Sequence, residues 1–145
     1  MRVAVVDGQG GGIGRMLVEK LRQLLPEQVE ILALGTNALA TAAMLKAGAQ
    51  AGATGESAIV YNAHRVDAIL GPIGIVVAHA MLGELTPAMA CAIGGSDARK
   101  FLIPVSRCSV QVAGVETRPV ASHVEQAVEW VASLLAGGEP AGERC

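Results

Sequence analysis

Five of the seven residues from Gly8 to Gly14 are glycine, in the run Asp7-Gly8-Gln9-Gly10-Gly11-Gly12-Ile13-Gly14. The cluster follows a short apolar stretch, Val3 to Val6, and precedes Ile13, Leu17, Leu21 and Leu24, which recur at helical spacing until Pro26. An unbroken apolar stretch of this length fits a strand of a parallel sheet, buried on both faces. Strand, glycine turn and helix together form the opening unit of an α/β domain. Glycine lets the backbone turn tightly and bring its N–H groups close to a ligand, while the helix start adds unpaired amides and the positive end of a dipole. A diphosphate suits such a place. The run is not a P-loop, because no Gly-Lys-Ser/Thr closes it, and a strict G-x-G-x-x-G register counted from Gly8 fails at Ile13.

The rest of the chain keeps a β/α rhythm. Val29 to Leu34 reads as a second strand ending at Gly35, and Asn37 caps a helix over Ala38 to Ala47 that Gly48 closes. The small residues from Gly48 to Gly55 read as a flexible connector. Glu56 to Arg65 fits a short helix, with an extended Ile59-Val60-Tyr61 as the alternative. Val66 to Leu70 is a buried strand closed by Gly71-Pro72, and Gly74 to Leu82 and Pro87 to Ile93 read as helical, the latter capped by Thr86. Phe101 to Val105 and an alternating Val110 to Val115 are read as further strands, the second at an edge. Ser122-x-x-Glu125 has the form of a capping box opening an amphipathic helix with Val124, Val128, Val131 and Leu135 on one side. The expected fold is α/β and Rossmann-like, a mostly parallel sheet of about five strands with helices on both faces. One nucleotide-binding domain over residues 1–137 and a flexible tail over 138–145 complete the expectation.

Composition narrows the function classes. A hydrophobic fraction of 52% against 2% aromatic residues requires a core of Ala, Val, Ile and Leu. A net charge of -2 without any block of like charges gives no footprint for nucleic acid. The charge-free run Ala68 to Gly83 is shorter than the ~20 residues of a membrane span and is interrupted by Gly71-Pro72 and His79. No secretory signal opens the chain, so a cytoplasmic location is expected. Cys91, Cys108 and Cys145 show no CxxC spacing and read as free thiols, and His64, His79 and His123 lie in separate segments, so no metal site is expected. The apolar residues from 73 to 93 suggest a contact surface and hence a homo-oligomer.

In an open parallel sheet, ligands lie outside the carboxyl ends of the strands. Those ends are the glycine loop with Arg15, then Gly35-Thr36-Asn37, Gly71-Pro72-Ile73-Gly74 and Ser106-Arg107-Cys108. The expected cofactor-binding residues are therefore Gly8, Gln9, Gly10, Gly11, Gly12, Ile13, Gly14 and Arg15, with Gly35, Thr36, Asn37, Gly71, Pro72 and Ile73. Thr36 and Asn37 stand where an NAD site usually has a ribose-binding acid, so NADP, a mononucleotide or an ADP-like ligand stays open, with Arg15 the nearest cation. Asp7 could hold loop amides or a magnesium ion. Arg107, Cys108 and Asn62 are the candidates for catalysis, and no general acid–base pair stands out.

Gly8-x-x-x-Gly12-Ile13-Gly14 resembles the cofactor loop of the short-chain dehydrogenase/reductase family, which reads Thr-Gly-x-x-x-Gly-Ile-Gly, with Asp7 in the threonine place. The resemblance implies an NAD(P)-type diphosphate over Gly10 to Gly14 with Ile13 packed beneath. It covers the first β/α unit alone; the chain is far shorter than that family, and Tyr61-Asn62-Ala63-His64-Arg65 has Arg where the family's Tyr-x-x-x-Lys has lysine. Over nearly its whole length the sequence resembles a short bacterial family, domain of unknown function 3842. The matching stretches are Val6 to Gly14, Leu34-Gly35-Thr36-Asn37, Ala53-Thr54-Gly55-Glu56, Gly71-Pro72-Ile73-Gly74-Ile75 and Ile103-Pro104-Val105-Ser106-Arg107-Cys108. That resemblance implies a domain boundary and a Rossmann-like fold, and it supplies no catalytic residues. The functional expectation is nucleotide binding on the glycine loop, NAD(P) or another adenine nucleotide being the cofactor, in an enzyme, a non-catalytic sensor or accessory subunit, or an enzyme acting on a phosphorylated metabolite.

Overall fold

The computed structural model describes residues 1–105 and 109–138. The apolar run at the start becomes β1 (Arg2–Asp7), buried from Val3 onward, and the glycine loop leads into α1 (Gly12–Leu24), which lays Leu17, Val18 and Leu21 on the sheet. β2 (Glu30–Gly35), α2 (Ala38–Lys46), β3 (Ala51–Thr54) and α3 (Glu56–Ala63) follow. β4 (Ala68–Pro72), a 3-10 turn (Ile73–Val76), α4 (Pro87–Gly94), β5 (Arg99–Ile103) and α5 (Val120–Leu135) complete the order.

The five strands form one sheet in the order β3-β2-β1-β4-β5. Every pairing is parallel, with Asp7 opposite Gly35 and Val3 opposite Ala68. The architecture is thus Rossmann-like, and the sheet separates two cores. One gathers Val3, Val5, Leu17, Met44, Leu70 and Val128 beneath α1, α2 and α5. The other gathers Ala4, Val6, Ile59, Ile69, Met89 and Ile93 beneath α3 and α4. With one Phe, one Trp and one Tyr in the chain, the interior is aliphatic, and Phe101 and Trp130 meet at the edge with ring centroids 6.1 Å apart.

Several expectations are corrected. The connector from Gly48 to Gly55 contains β3, whose Ala-Gly-Ala-Thr sequence has no apolar or β-branched run to announce it and is mostly exposed at the sheet edge. Residues 74–82 do not form one helix; only 74–76 are helical, within the 3-10 turn. After the 3-10 turn the chain makes successive turns with His79, Met81 and Leu82 at φ 64, 59 and 58, and the β-branched Ile73, Ile75, Val76 and Val77 favour that departure. Residues 110–115 form no strand; Gly114 at φ 82 turns the chain, and Val115 N–H reaches back to Val112 O. The helix expected from Ser122 starts at Val120 behind Pro119, without a side-chain cap, and Glu125 instead pairs with Lys20 at 3.1 Å. Much of the apolar segment 73–93 is interior, since Ile75, Leu85, Met89 and Ile93 belong to the second core. β5 ends at Ile103, short of the expected Val105, where Pro104 has no N–H to donate. Among the described residues no helix is long and apolar enough to cross a membrane.

Candidate functional site

The chain passes from β1 to β2 on one side and later places β4 on the other, so the order reverses at β1. The crevice at such a reversal is where open α/β sheets bind ligands. Residues 8–11 sit at that point, and α1 begins immediately after them with Gly11 at φ 71 as its N-cap.

Asp7, 5% exposed, closes the strand beneath this loop. Its carboxylate accepts the Gly8 N–H at 2.8 Å and the Gly14 N–H at 2.7 Å. Burial pushes its pKa above the ordinary value, opposed by the N–H groups of Gly14 and Gly8 and reinforced by the nearby charge of Glu84. Asp7 is thereby committed to loop amides. Gly11 N–H bonds to Gly8 O at 2.9 Å, which leaves the N–H groups of Gly10 and Gly12 without a protein acceptor among the described residues.

The five glycines sort into two sets by what a side chain would meet. A Cβ at Gly8 would lie 2.5 Å from Met81 Sδ, at Gly11 2.8 Å from Ala40 Cα, and at Gly14 2.6 Å from Met44 Sδ. Packing explains those three. At Gly10 and Gly12 a Cβ would meet nothing within 4 Å, and both residues are exposed. The fold does not need glycine there, whereas an anion approaching their amides does.

The end of β2 supplies side-chain donors. Asn37 caps α2 by accepting the Ala40 N–H at 2.9 Å, and its amide donates to Gln9 O at 3.0 Å. Gly35 is required by packing, since a Cβ would lie 2.2 Å from Thr41 Oγ1. Glu84 joins this group, 75 residues from Gln9. Its Oε2 accepts the Gln9 N–H at 3.0 Å, and its Oε1 accepts the Thr36 hydroxyl at 3.2 Å and the Asn37 amide at 2.6 Å. Glu84 is a site residue that sequence reading passed over, although it is the one charged residue between Asp67 and Asp97.

Other expected residues lie apart from this cluster. Ile13 packs against the first core, as expected of a residue beneath the loop. Arg15 turns along α1 to pair with Glu19 at 2.8 Å. Gly71 lets β4 approach β1, since a Cβ would lie 2.3 Å from Val6 O, and Pro72 is buried beside it. Ile73 faces a groove of about 560 Å³ shared with Pro104, Val112, Arg118 and His123. Asn62 is not at the crevice: α3 starts at the carboxyl end of β3 and runs away from it, ~1.5 Å per residue, so position 62 lies toward the opposite edge with its amide donated to Ala58 O. Tyr61 is exposed, with Arg65 over one face of its ring, 3.8 Å from the centre. Arg107 and Cys108, with Ser106, lie outside the described residues. A second cleft, about 650 Å³, opens at the amino ends of the strands beside His64, Asp67 and Asp97. Neither cleft is lined by residues 8–12, over which Met81 and Glu84 are laid.

The fold is similar to that of a solved structure, the dodecameric FMN-dependent UbiX-like decarboxylase from Escherichia coli O157:H7. The two share 14% identity over 100% of this chain and 99% of that one, with a TM-score of 0.51, a likeness of fold. No curated protein matches the chain. Residues 2–136 match the family model described as Domain of unknown function (DUF3842), so this chain, with its glycine loop at the turning point of a parallel sheet, belongs to that family.

Proposed function

We infer that the chain binds a nucleotide through its phosphate or diphosphate, set on the N–H groups of Gly10 and Gly12 at the start of α1. The observation that carries this reading is the division among the glycines: three are explained by close packing, and these two are exposed and open. An NAD(P)-type dinucleotide is the first candidate, supported by the Gly8-x-x-x-Gly12-Ile13-Gly14 pattern. FMN is the second, supported by the name of the decarboxylase that shares the fold. A non-catalytic sensor or accessory subunit is the alternative to an enzyme, supported by Glu84, because a ligand reaching Gln9, Thr36 and Asn37 must change the contacts of segment 77–85. A homo-oligomer belongs to the same reading, supported by the exposed Leu39, Tyr61, Leu82 and Trp130 and by the assembly of the structural neighbour.

A thermal-shift panel of NAD, NADP, ADP, ATP, FMN and sugar phosphates tests the reading. Ligand at a hundred times its dissociation constant stabilises a protein by about 2.7 kcal/mol, a readily measured shift. At least one nucleotide is expected to raise the melting temperature of the native chain and to leave Gly12→Val unmoved. No shift from any of them, or an equal shift in Gly12→Val, overturns the assignment.

A further inference from the structure

We propose that segment 77–85 is a strap, and that its Glu84 carboxylate holds the Gln9, Thr36 and Asn37 donors that the second phosphate of a diphosphate set on Gly10 and Gly12 would take, so that ligand binding and strap release are one competition. The proposal rests on the nucleotide reading for its ligand. Its structural half rests on contacts already described.

Two oxygens of one carboxylate take three donors from two strand ends: the Gln9 N–H after β1, and the Thr36 hydroxyl and Asn37 amide after β2. A phosphate group offers the same acceptor chemistry to the same convergent donors. Among the described residues Glu84 has no Lys or Arg partner, and the nearby Asp7 carboxyl adds a like charge. The clip therefore consists of bonds from neutral donors to a carboxylate, with no paired cation among the described residues, and an equivalent anion can replace it. Met81 forms the second fastening, its sulfur set so close to Gly8 that a Cβ there would lie 2.5 Å away.

The strap is strained around these fastenings. His79, Met81 and Leu82 sit at φ 64, 59 and 58, a region that L side chains rarely adopt and that persists only where surrounding contacts enforce it. Leu82 is 98% exposed, so no burial of its side chain offsets that conformation. The bonds from His79 N–H to Leu85 O at 2.8 Å and from Gly83 N–H to His79 O at 3.0 Å close the strap on itself. Ala80 and Leu85 anchor the strap in the second core, and the strained turn between them, held to the glycine loop by the Glu84 and Met81 contacts, is the kind of two-state element that a ligand can shift. The apparent affinity for a phosphate is then the intrinsic affinity multiplied by the fraction of molecules in which the strap is released.

Hydrogen-exchange mass spectrometry and titration calorimetry on the full chain and on Glu84→Gln test this, with inorganic pyrophosphate, NAD and FMN as probes. Glu84→Gln is expected to speed amide exchange in residues 79–85 and to tighten pyrophosphate binding at least fivefold. Pyrophosphate added to the native chain should speed exchange in the same residues, a measurement that depends on no variant. Protection of residues 79–85 by any probe, or weaker binding in Glu84→Gln, would show Glu84 touching the ligand and would overturn the competition while leaving nucleotide binding intact. Unchanged exchange in Glu84→Gln overturns the clip itself. Failure of both proteins to bind any probe overturns the nucleotide reading and the competition together.

Discussion

The carboxylate of Asp7, the last residue of β1, accepts the backbone N–H of Gly14 at 2.7 Å, within the first turn of α1. With the Gly8 N–H at 2.8 Å it ties the two ends of the glycine loop to one buried side chain. Asp7→Ala would leave both donors without an acceptor. A loss of about 1–3 kcal/mol in unfolding free energy is expected, measured by denaturant titration.

The raised pKa of Asp7 gives the pH dependence a sign. Because burial makes the folded chain bind this proton more tightly than the unfolded chain does, the unfolding free energy contributed by Asp7 rises as pH falls from the raised value toward the ordinary 3.8. Other carboxyl groups change stability over the same window, so the readout is the difference between the native chain and Asp7→Asn. That difference should move in favour of the native chain on acidification; movement the other way would refute the assignment.

The sorting of the glycines predicts opposite outcomes for similar substitutions. Gly11→Ala places a Cβ 2.8 Å from Ala40 Cα in a left-handed residue at φ 71, and Gly14→Ala places one 2.6 Å from Met44 Sδ and 2.8 Å from Asp7 Cβ. Each should cost about 1–3 kcal/mol of stability. Gly12→Ala, with open space around its Cβ, should unfold within ~0.5 kcal/mol of the native chain while weakening nucleotide binding. Melting curves with and without ligand separate the two kinds of loss.

Asn37 serves α2 and the loop together, through Ala40 N–H, Gln9 O and Glu84. Asn37→Ala should lower stability by about 1–2 kcal/mol, the usual cost of a lost N-cap, and Asn37→Ser should recover most of it.

Leu82 gives a prediction of the other sign. It is 98% exposed at φ 58, a conformation that costs a non-glycine residue ~1–2 kcal/mol. Leu82→Gly should therefore be neutral or stabilising by up to ~1 kcal/mol, even though glycine loosens the unfolded chain. A clear destabilisation would show that the left-handed turn is not strained.

The β/α rhythm was legible where the residues themselves carry the signal: Val3 to Val6, the helically spaced Leu17 and Leu21, the Asn37 cap and the Thr86-Pro87 start all appear as read. β3 escaped because a four-residue edge strand of small side chains is defined by its pairing with β2, which composition does not record. The segment after β4 was misread as helix because apolar content looks alike in a helix and in a buried run of turns. The site divided in the same way. Backbone donors in the glycine loop follow from local sequence, whereas Glu84 reaches them from a turn 75 residues on, and only its isolation in an uncharged stretch hinted at it. The place of Asn62, away from the crevice, depended on helix direction, which is fixed by where β3 ends.

Because all five strands run the same way, the molecule has two unlike rims. The amino rim is stitched by long-range bonds such as Arg2 N–H to Asp67 and the Ser96 hydroxyl to Ala63 O. The carboxyl rim carries the glycine turn, the Thr36-Asn37 corner and the Glu84 turn on connections that can be lengthened or exchanged without disturbing strand pairing. Relatives built on this plan can diverge in what they recognise by editing one rim while inheriting the other unchanged.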